Sequence, residues 1–167
     1  MFMADSSGII VYAGLYGNVE DARNDFEMIK AAHREKWIGT YESAVFEKDA
    51  EGKVKVLDTD ATQRGSGAKK GVIAGAIFGV IFPPSILISA AAGAALGAGI
   101  GNMVKVMDRG AVKDLAAELE PGQAGLVLIA DATFDAGAER LMKTAKKVAK
   151  QMVDADADAF KDAIDEA

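Results

Sequence analysis

Between Lys70 and Lys105 the chain reads GVIAGAIFGVIFPPSILISAAAGAALGAGIGNMV, without a charged residue, although 26% of the whole chain is Asp, Glu, Lys or Arg. Small residues recur every four positions along two lines within and around this insert. The first is Gly67, Gly71, Gly75 and Gly79; the second is Ser85, Ser89, Gly93, Gly97 and Gly101. Residues four apart share one helix face, so each line makes a smooth surface that another backbone can approach closely. Bulky Ile73, Ile77, Phe78 and Ile81, then Leu87, Ile88, Leu96 and Ile100, fall on the opposite faces. Glycine costs roughly 1 kcal/mol relative to alanine inside a helix, so this many glycines require close packing as compensation. Pro83 and Pro84 separate the two lines; the residue before a proline avoids the helical region, whereas proline suits a helix start. Residues 67–105 are therefore expected to form a helical hairpin turning at Pro83 and Pro84.

Length argues against two membrane spans. The first arm, Gly71 to Phe82, reaches about 18 Å at the helical rise, against roughly 30 Å of hydrocarbon. The second arm is about long enough. Basic residues flank both ends, Lys69 and Lys70 before the insert and Lys105 and Arg109 after it. If the hairpin dips into one leaflet, both ends then belong on the cytoplasmic face. Burial against protein is the other reading, and the sequence leaves both open.

The rest of the chain bounds the function. At 167 residues it is long enough for one domain with a sizeable core. A net charge of −6 speaks against a nucleic-acid partner, which needs a broad basic face. No cysteine is present, so disulfides and thiolate metal sites are excluded, and a reducing cytoplasm fits. The opening MFMADSSGIIVYAGLYG has no basic region and is not expected to act as a secretory signal.

Gly8 to Tyr16 reads as a buried strand, and Asn18 then caps an amphipathic helix with Val19, Ala22, Phe26, Ile29 and His33 at helical spacing. TYESAVFEK and KVKVLDT flank the turn DAEG and predict a hairpin. After the insert come a short helix ended by Pro121-Gly122, the strand AGLVLIAD, and a terminal stretch that reads as one long amphipathic helix or two helices. Insert aside, the order βαββαβ predicts an α+β, ferredoxin-like antiparallel sheet with two helices on one face. The expectation is one domain over 1–167, carrying the inserted hairpin (67–105), a C-terminal helix and an acidic segment (153–167).

EGKVKVLDTDAT, GSGAKKGVIAGAIFGVIFPP and LAAELEPGQAGLVLIAD, in that order, resemble a bacterial family of predicted membrane proteins with a glycine zipper and a domain of unknown function. The resemblance runs from about Gly8 to Lys150 and leaves the tail after Met152 outside. It implies a ferredoxin-like domain with an inserted hairpin, and it transfers no catalytic residue.

Chemistry is sparse. His33 is the sole histidine, with Asp25, Glu27 and Glu35 nearby in sequence but no nucleophile motif. One histidine and no cysteine cannot build a histidine metal cluster. Asp154, Asp156, Asp158 and Asp165 match four positions of a calcium loop, but Ala159 stands where the turn needs glycine, and Asp165 where it needs glutamate. GSGAKKG lacks the spacing of a phosphate loop. Tyr12, Tyr16, Trp37 and Tyr41 are candidates to line a pocket, without converging polar groups. Lys143, Lys146, Lys147 and Lys150 form a basic cluster beside an apolar line of Leu141, Ala145, Val148 and Met152, suited to lipid headgroups or a neighbouring subunit.

The expectation is a non-enzymatic, cofactor-free, self-associating protein whose insert mediates homo-oligomer assembly. The alternative is a peripheral or monotopic protein on the cytoplasmic membrane face, with the insert in lipid. A small-molecule-binding domain is a third, weaker reading.

Overall fold

The apolar run after Gly8 forms strand β1 (Ile9–Tyr16), every residue of it buried. A strand apolar on both faces must be covered twice, and the rest of the fold supplies the covers. The structure, a computed structural model, describes residues 8–61, 77, 81–87, 107, 110–131 and 138–153. Helix α1 (Val19–Arg34) follows β1, then β2 (Tyr41–Lys48) and β3 (Val54–Ala61). A 3-10 turn spans Pro84–Ile86. Short helix α2 (Ala111–Ala116), β4 (Ala124–Asp131), short helix α3 (Ala138–Leu141) and β5 (Lys147–Val153) complete the described elements. The strands make one antiparallel sheet in the order β3-β2-β4-β1-β5.

The two central strands share the tripeptide Ala-Gly-Leu, at 13–15 and at 124–126. Their register sets Gly14 opposite Leu126 and Leu15 opposite Gly125. Each glycine opens room for a large side chain. A Cβ on Gly14 would lie 2.7 Å from the Met142 methyl, and one on Gly125 would run into the Phe46 ring. Beside Gly125, β2 shifts register between Val45 and Phe46.

On one face, Ile10, Tyr12, Leu126 and Leu128 pack under Phe26 and Ile29 of α1. On the other, Val11, Leu15, Val127 and Ile129 are covered by Val112 and Leu115 of α2 and by Ile77, Ile81 and Phe82 of the insert. Helix α1 starts where the sequence predicts: Asn18 accepts the Asp21 N–H at 2.8 Å, and Glu20 and Asp21 suit the positive end. It stops in a paired turn, with the Trp37 N–H on the Ala32 carbonyl (2.8 Å) and the Lys36 N–H on the His33 carbonyl (3.0 Å). That turn needs a left-handed residue, and Lys36 takes the place usually held by glycine, at φ 66°. The β2–β3 turn also forms as expected, Asp49 accepting the N–H groups of Glu51 and Lys53, both at 2.9 Å.

The ferredoxin-like expectation, with its inserted helical hairpin and C-terminal helix, is overturned. That arrangement puts the third strand in chain order beside the first, but here β3 lies at the sheet edge and β4 sits between β1 and β2. It also puts two helices on one face, whereas α1 and α2 cover opposite faces. Where one long terminal helix or two helices were expected, α3 has four residues and β5 follows. Strand β1 has an open edge with backbone groups to satisfy, and residues 147–153 satisfy them as a ladder. Most of the hairpin lies outside the described residues. In its described part Ile77 and Ile81 are helical, but Ser85 sits in the 3-10 turn and Leu87 bridges to Val54 as a strand would.

Two substitutions test these backbone assignments by denaturant unfolding. Gly125→Ala drives a methyl into the Phe46 ring and is expected to lose about 1–3 kcal/mol, the usual range for overpacking. Lys36→Gly relieves the left-handed strain and is expected to gain about 1 kcal/mol.

Candidate functional site

Polar side chains buried against α1 are the first place to look for chemistry. Asp25 points into the core from the middle of α1 and is only 3% exposed. The Tyr16 hydroxyl and the Thr144 N–H each donate to its Oδ2, both at 3.0 Å. The Thr144 hydroxyl donates to the Asp21 carbonyl at 3.1 Å. The carboxylate thus ties β1, α1 and the turn after α3 together. Burial, and then the negative charge of Asp25, push the Tyr16 phenol far above its usual range, so it stays protonated.

A second cluster lies toward the end of α1. Burial and a hydrogen bond to Asp60 likewise raise the Tyr41 phenol. The His33 ring tilts against Tyr41 with centres 5.0 Å apart. His33 Nδ1 lies 3.0 Å from the Ile38 carbonyl, which can only accept, so Nδ1 carries the proton. His33 therefore closes the turn after α1. It is not joined to Asp25, which is committed to Tyr16 and Thr144, and Glu27 faces Lys30 at 3.1 Å. Tyr12, Tyr16 and Tyr41 are buried in the core and Trp37 is 67% exposed, so the four aromatics do not line a common pocket. Among the described residues, no group of three or more His, Cys, Asp or Glu side chains is placed to hold a metal.

The opposite face carries the insert. Ile77, Ile81 and Phe82 are 0–4% exposed, and Met107, just beyond the insert, is fully buried. Phe82 meets Phe46 edge to face, with ring centres 5.6 Å apart. Pro83 is exposed, its carbonyl accepting the Ile86 N–H at 3.1 Å, and Lys53 Nζ donates to the Ser85 carbonyl at 2.7 Å. The 3-10 turn at Pro84–Ile86 is thus tied to the residue just before β3. Between sheet, insert and α2 an apolar crevice bordered by Leu15, Phe46, Ile81 and Leu119 holds space for about one water molecule, too little for a substrate.

Of the small-residue lines, Gly67, Gly71, Gly75, Gly79, Ser89, Gly93, Gly97 and Gly101 lie outside the described residues, as do Lys69, Lys70, Lys105 and Arg109 and the acidic residues 154–167. Ser85 is exposed in the 3-10 turn. The expected basic cluster is redistributed. Lys143 and Lys146 occupy the approach to β5, while Lys147 and Lys150 stand on opposite faces of that strand, as period two requires. Its apolar line also splits: Leu141 is buried, and Val148 and Met152 are 38% and 55% exposed. Sequence reasoning missed Phe46, Gly125 and the Tyr16–Asp25 pair. The repeated Ala-Gly-Leu was the available signal.

Among the described residues, no helix is long and apolar enough to cross a membrane. A family model described as a protein of unknown function (DUF1269) matches residues 68–165. The match begins at the insert and takes in the acidic segment, which the sequence resemblance had left outside, while β1 to β3 precede it. No curated protein and no solved structure matches the chain.

Removing the Tyr16 hydroxyl leaves Asp25 buried with one donor fewer, so Tyr16→Phe is expected to cost about 1–3 kcal/mol in urea unfolding at neutral pH. The raised phenol also fixes a pH dependence. Its stabilisation is complete below the unfolded tyrosine value of about 10 and is lost as pH rises beyond it. Stability should therefore fall above that pH in the wild type, and less steeply in Tyr16→Phe.

Proposed function

The chain belongs to this family of unknown function, and we propose its role from its own geometry: a non-enzymatic protein that self-associates through its insert. The observation that carries the reading is the burial of Ile77, Ile81 and Phe82 against the chain's own sheet. Fully burying side chains of this kind is worth about 1.5–3 kcal/mol each. Moving them into lipid or onto a partner would strip the cover from Val54, Phe46 and Leu15. Ile77, Ile81 and Phe82 are thus engaged within the chain, and the reading assigns the contact with another copy to the small residues of the insert. The polar groups around α1 support the non-enzymatic reading, since Asp25, Tyr16, Tyr41 and His33 are held in structural bonds.

The setting proposed is the cytoplasm, in keeping with the cysteine-free sequence. Peripheral contact with a membrane is the second reading, favoured by exposed Val148 and Met152, which share one face of β5 with Lys150.

Native mass with and without detergent separates the two. Self-association predicts an oligomer that stays in solution without detergent; a monomer needing detergent supports the membrane reading instead. Leucine at Gly75 or Gly97 is expected to break the oligomer, and Val72→Leu to leave it intact. Equal behaviour of all three variants would sink the small-residue interface.

A further inference from the structure

Helix α1 ends in a turn that is fixed at three points. The Glu35 N–H donates to the Ala31 carbonyl at 3.0 Å, the Trp37 N–H to that of Ala32 at 2.8 Å, and His33 Nδ1 to that of Ile38 at 3.0 Å. Ile38 itself is buried. On this rigid turn Trp37 stands 67% exposed, the most open of the large apolar side chains among the described residues. Among those residues its indole and the Lys36 ammonium take no hydrogen bond or ion pair. Lys36 also holds a left-handed φ of 66°, which glycine takes without strain. Residues held in strained backbone gather at functional contacts. Here the strain sets a free ammonium directly beside an open indole, with Arg34 exposed two residues earlier.

Glu35, Lys36, Trp37 and Gly39 are all exposed, so the indole projects from a crest and not from a groove. A protein partner would have to bring a pocket for it. The headgroup zone of a bilayer takes an indole as it comes, its N–H among carbonyl and phosphate oxygens, and a neighbouring ammonium meets phosphate. The net charge of −6 keeps the chain as a whole from an anionic surface, so attachment has to be local, where an apolar ring and cations sit together. A second apolar side chain lies at the same end of the sheet and on the same face. Met152, 55% exposed, stands opposite Ile10, Ile10 opposite Ala130, and Ala130 opposite Tyr41, the ring on which His33 rests. We infer that the turn at residues 34–37 docks the protein on the anionic phospholipid surface of a membrane, Trp37 entering the headgroup zone and Lys36 meeting its phosphates. The inference deepens the membrane reading above, on which it rests. It asks nothing of the insert and is compatible with self-association.

Trp37 is the sole tryptophan, so its fluorescence reports this turn alone. The full-length chain is mixed with vesicles of phosphatidylcholine and phosphatidylglycerol in equal parts, at an ionic strength of about 0.01 M, where screening is weak. Emission is expected to shift to the blue, and lipids brominated on the acyl chain are expected to quench it. In cosedimentation with the same vesicles, Trp37→Ala is expected to lose binding. Lys36→Gly is expected to weaken it about fivefold, the usual worth of one lysine at such a surface, although the same change stabilises the fold. Affinity and stability moving in opposite directions separate docking from a structural role, and circular dichroism confirms that both variants fold. A wild type that sediments with vesicles while its emission stays fixed, and a Trp37→Ala variant that binds equally well, leave the membrane reading standing and overturn this inference. Failure of the wild type to sediment overturns both. A blue shift that follows protein concentration without vesicles puts Trp37 between copies of the chain and overturns the inference as well.

Discussion

Strands β1 and β4 pair from Ile9↔Asp131 to Tyr16↔Ala124, and side chains from both faces of this ladder are buried. This pairing is what the remaining structure answers to. A two-stranded ribbon apolar on both faces is not stable in water, so its backbone needs further strands and its side chains need two covers. Strands β2 and β5 satisfy the outer edges of β4 and β1. Helix α1 covers one face, and α2 with the insert covers the other. The insert's described apolar residues thus have a use within the chain: they complete its second core.

Close packing at the centre depends on two absent side chains. Gly14 and Gly125 lie in neighbouring strands, each opposite a leucine, and each admits a large group on its own face. Phe46 occupies the space over Gly125 and meets Phe82 of the insert. Met142 occupies the space over Gly14, next to the Tyr16 and Asp25 pair. The sheet is therefore coupled to the insert on one side and to the turn before β5 on the other. Polar groups that suggest chemistry in a sequence serve here as ties between elements, as where the Asp25 carboxylate accepts from Tyr16 and Thr144.

Much of the local structure was legible. Asn18 announced α1, the DAEG turn announced the β2–β3 hairpin, and two apolar runs announced the central strands, because capping, turn chemistry and periodicity are short-range signals. Residues 141–152 misled. Leu141, Ala145, Val148 and Met152 fit a helical period, yet Val148 and Met152 also fit one face of a strand. Alanine and lysine are good helix formers, but propensity is a weak prior, and the ladder offered by β1 outweighs it. The candidate site fared similarly. His33 and Asp25 are close in sequence, but which group each one bonds depends on Tyr16, Thr144 and Ile38, set by tertiary packing.

Sequence alone determined the kinds of surface this chain must bury: two central apolar strands, one amphipathic helix, and a long uncharged insert with small residues at every fourth place. It also excluded cysteine chemistry and a histidine metal cluster outright. Only the tertiary structure decided partners. Buried backbone groups require hydrogen-bond partners, and that requirement drew β5 to β1 and left β3 at the rim. The uncharged insert is where the two levels meet. Its composition fixed that it must leave water, and the uncovered face of the sheet decided where Ile77, Ile81 and Phe82 would go.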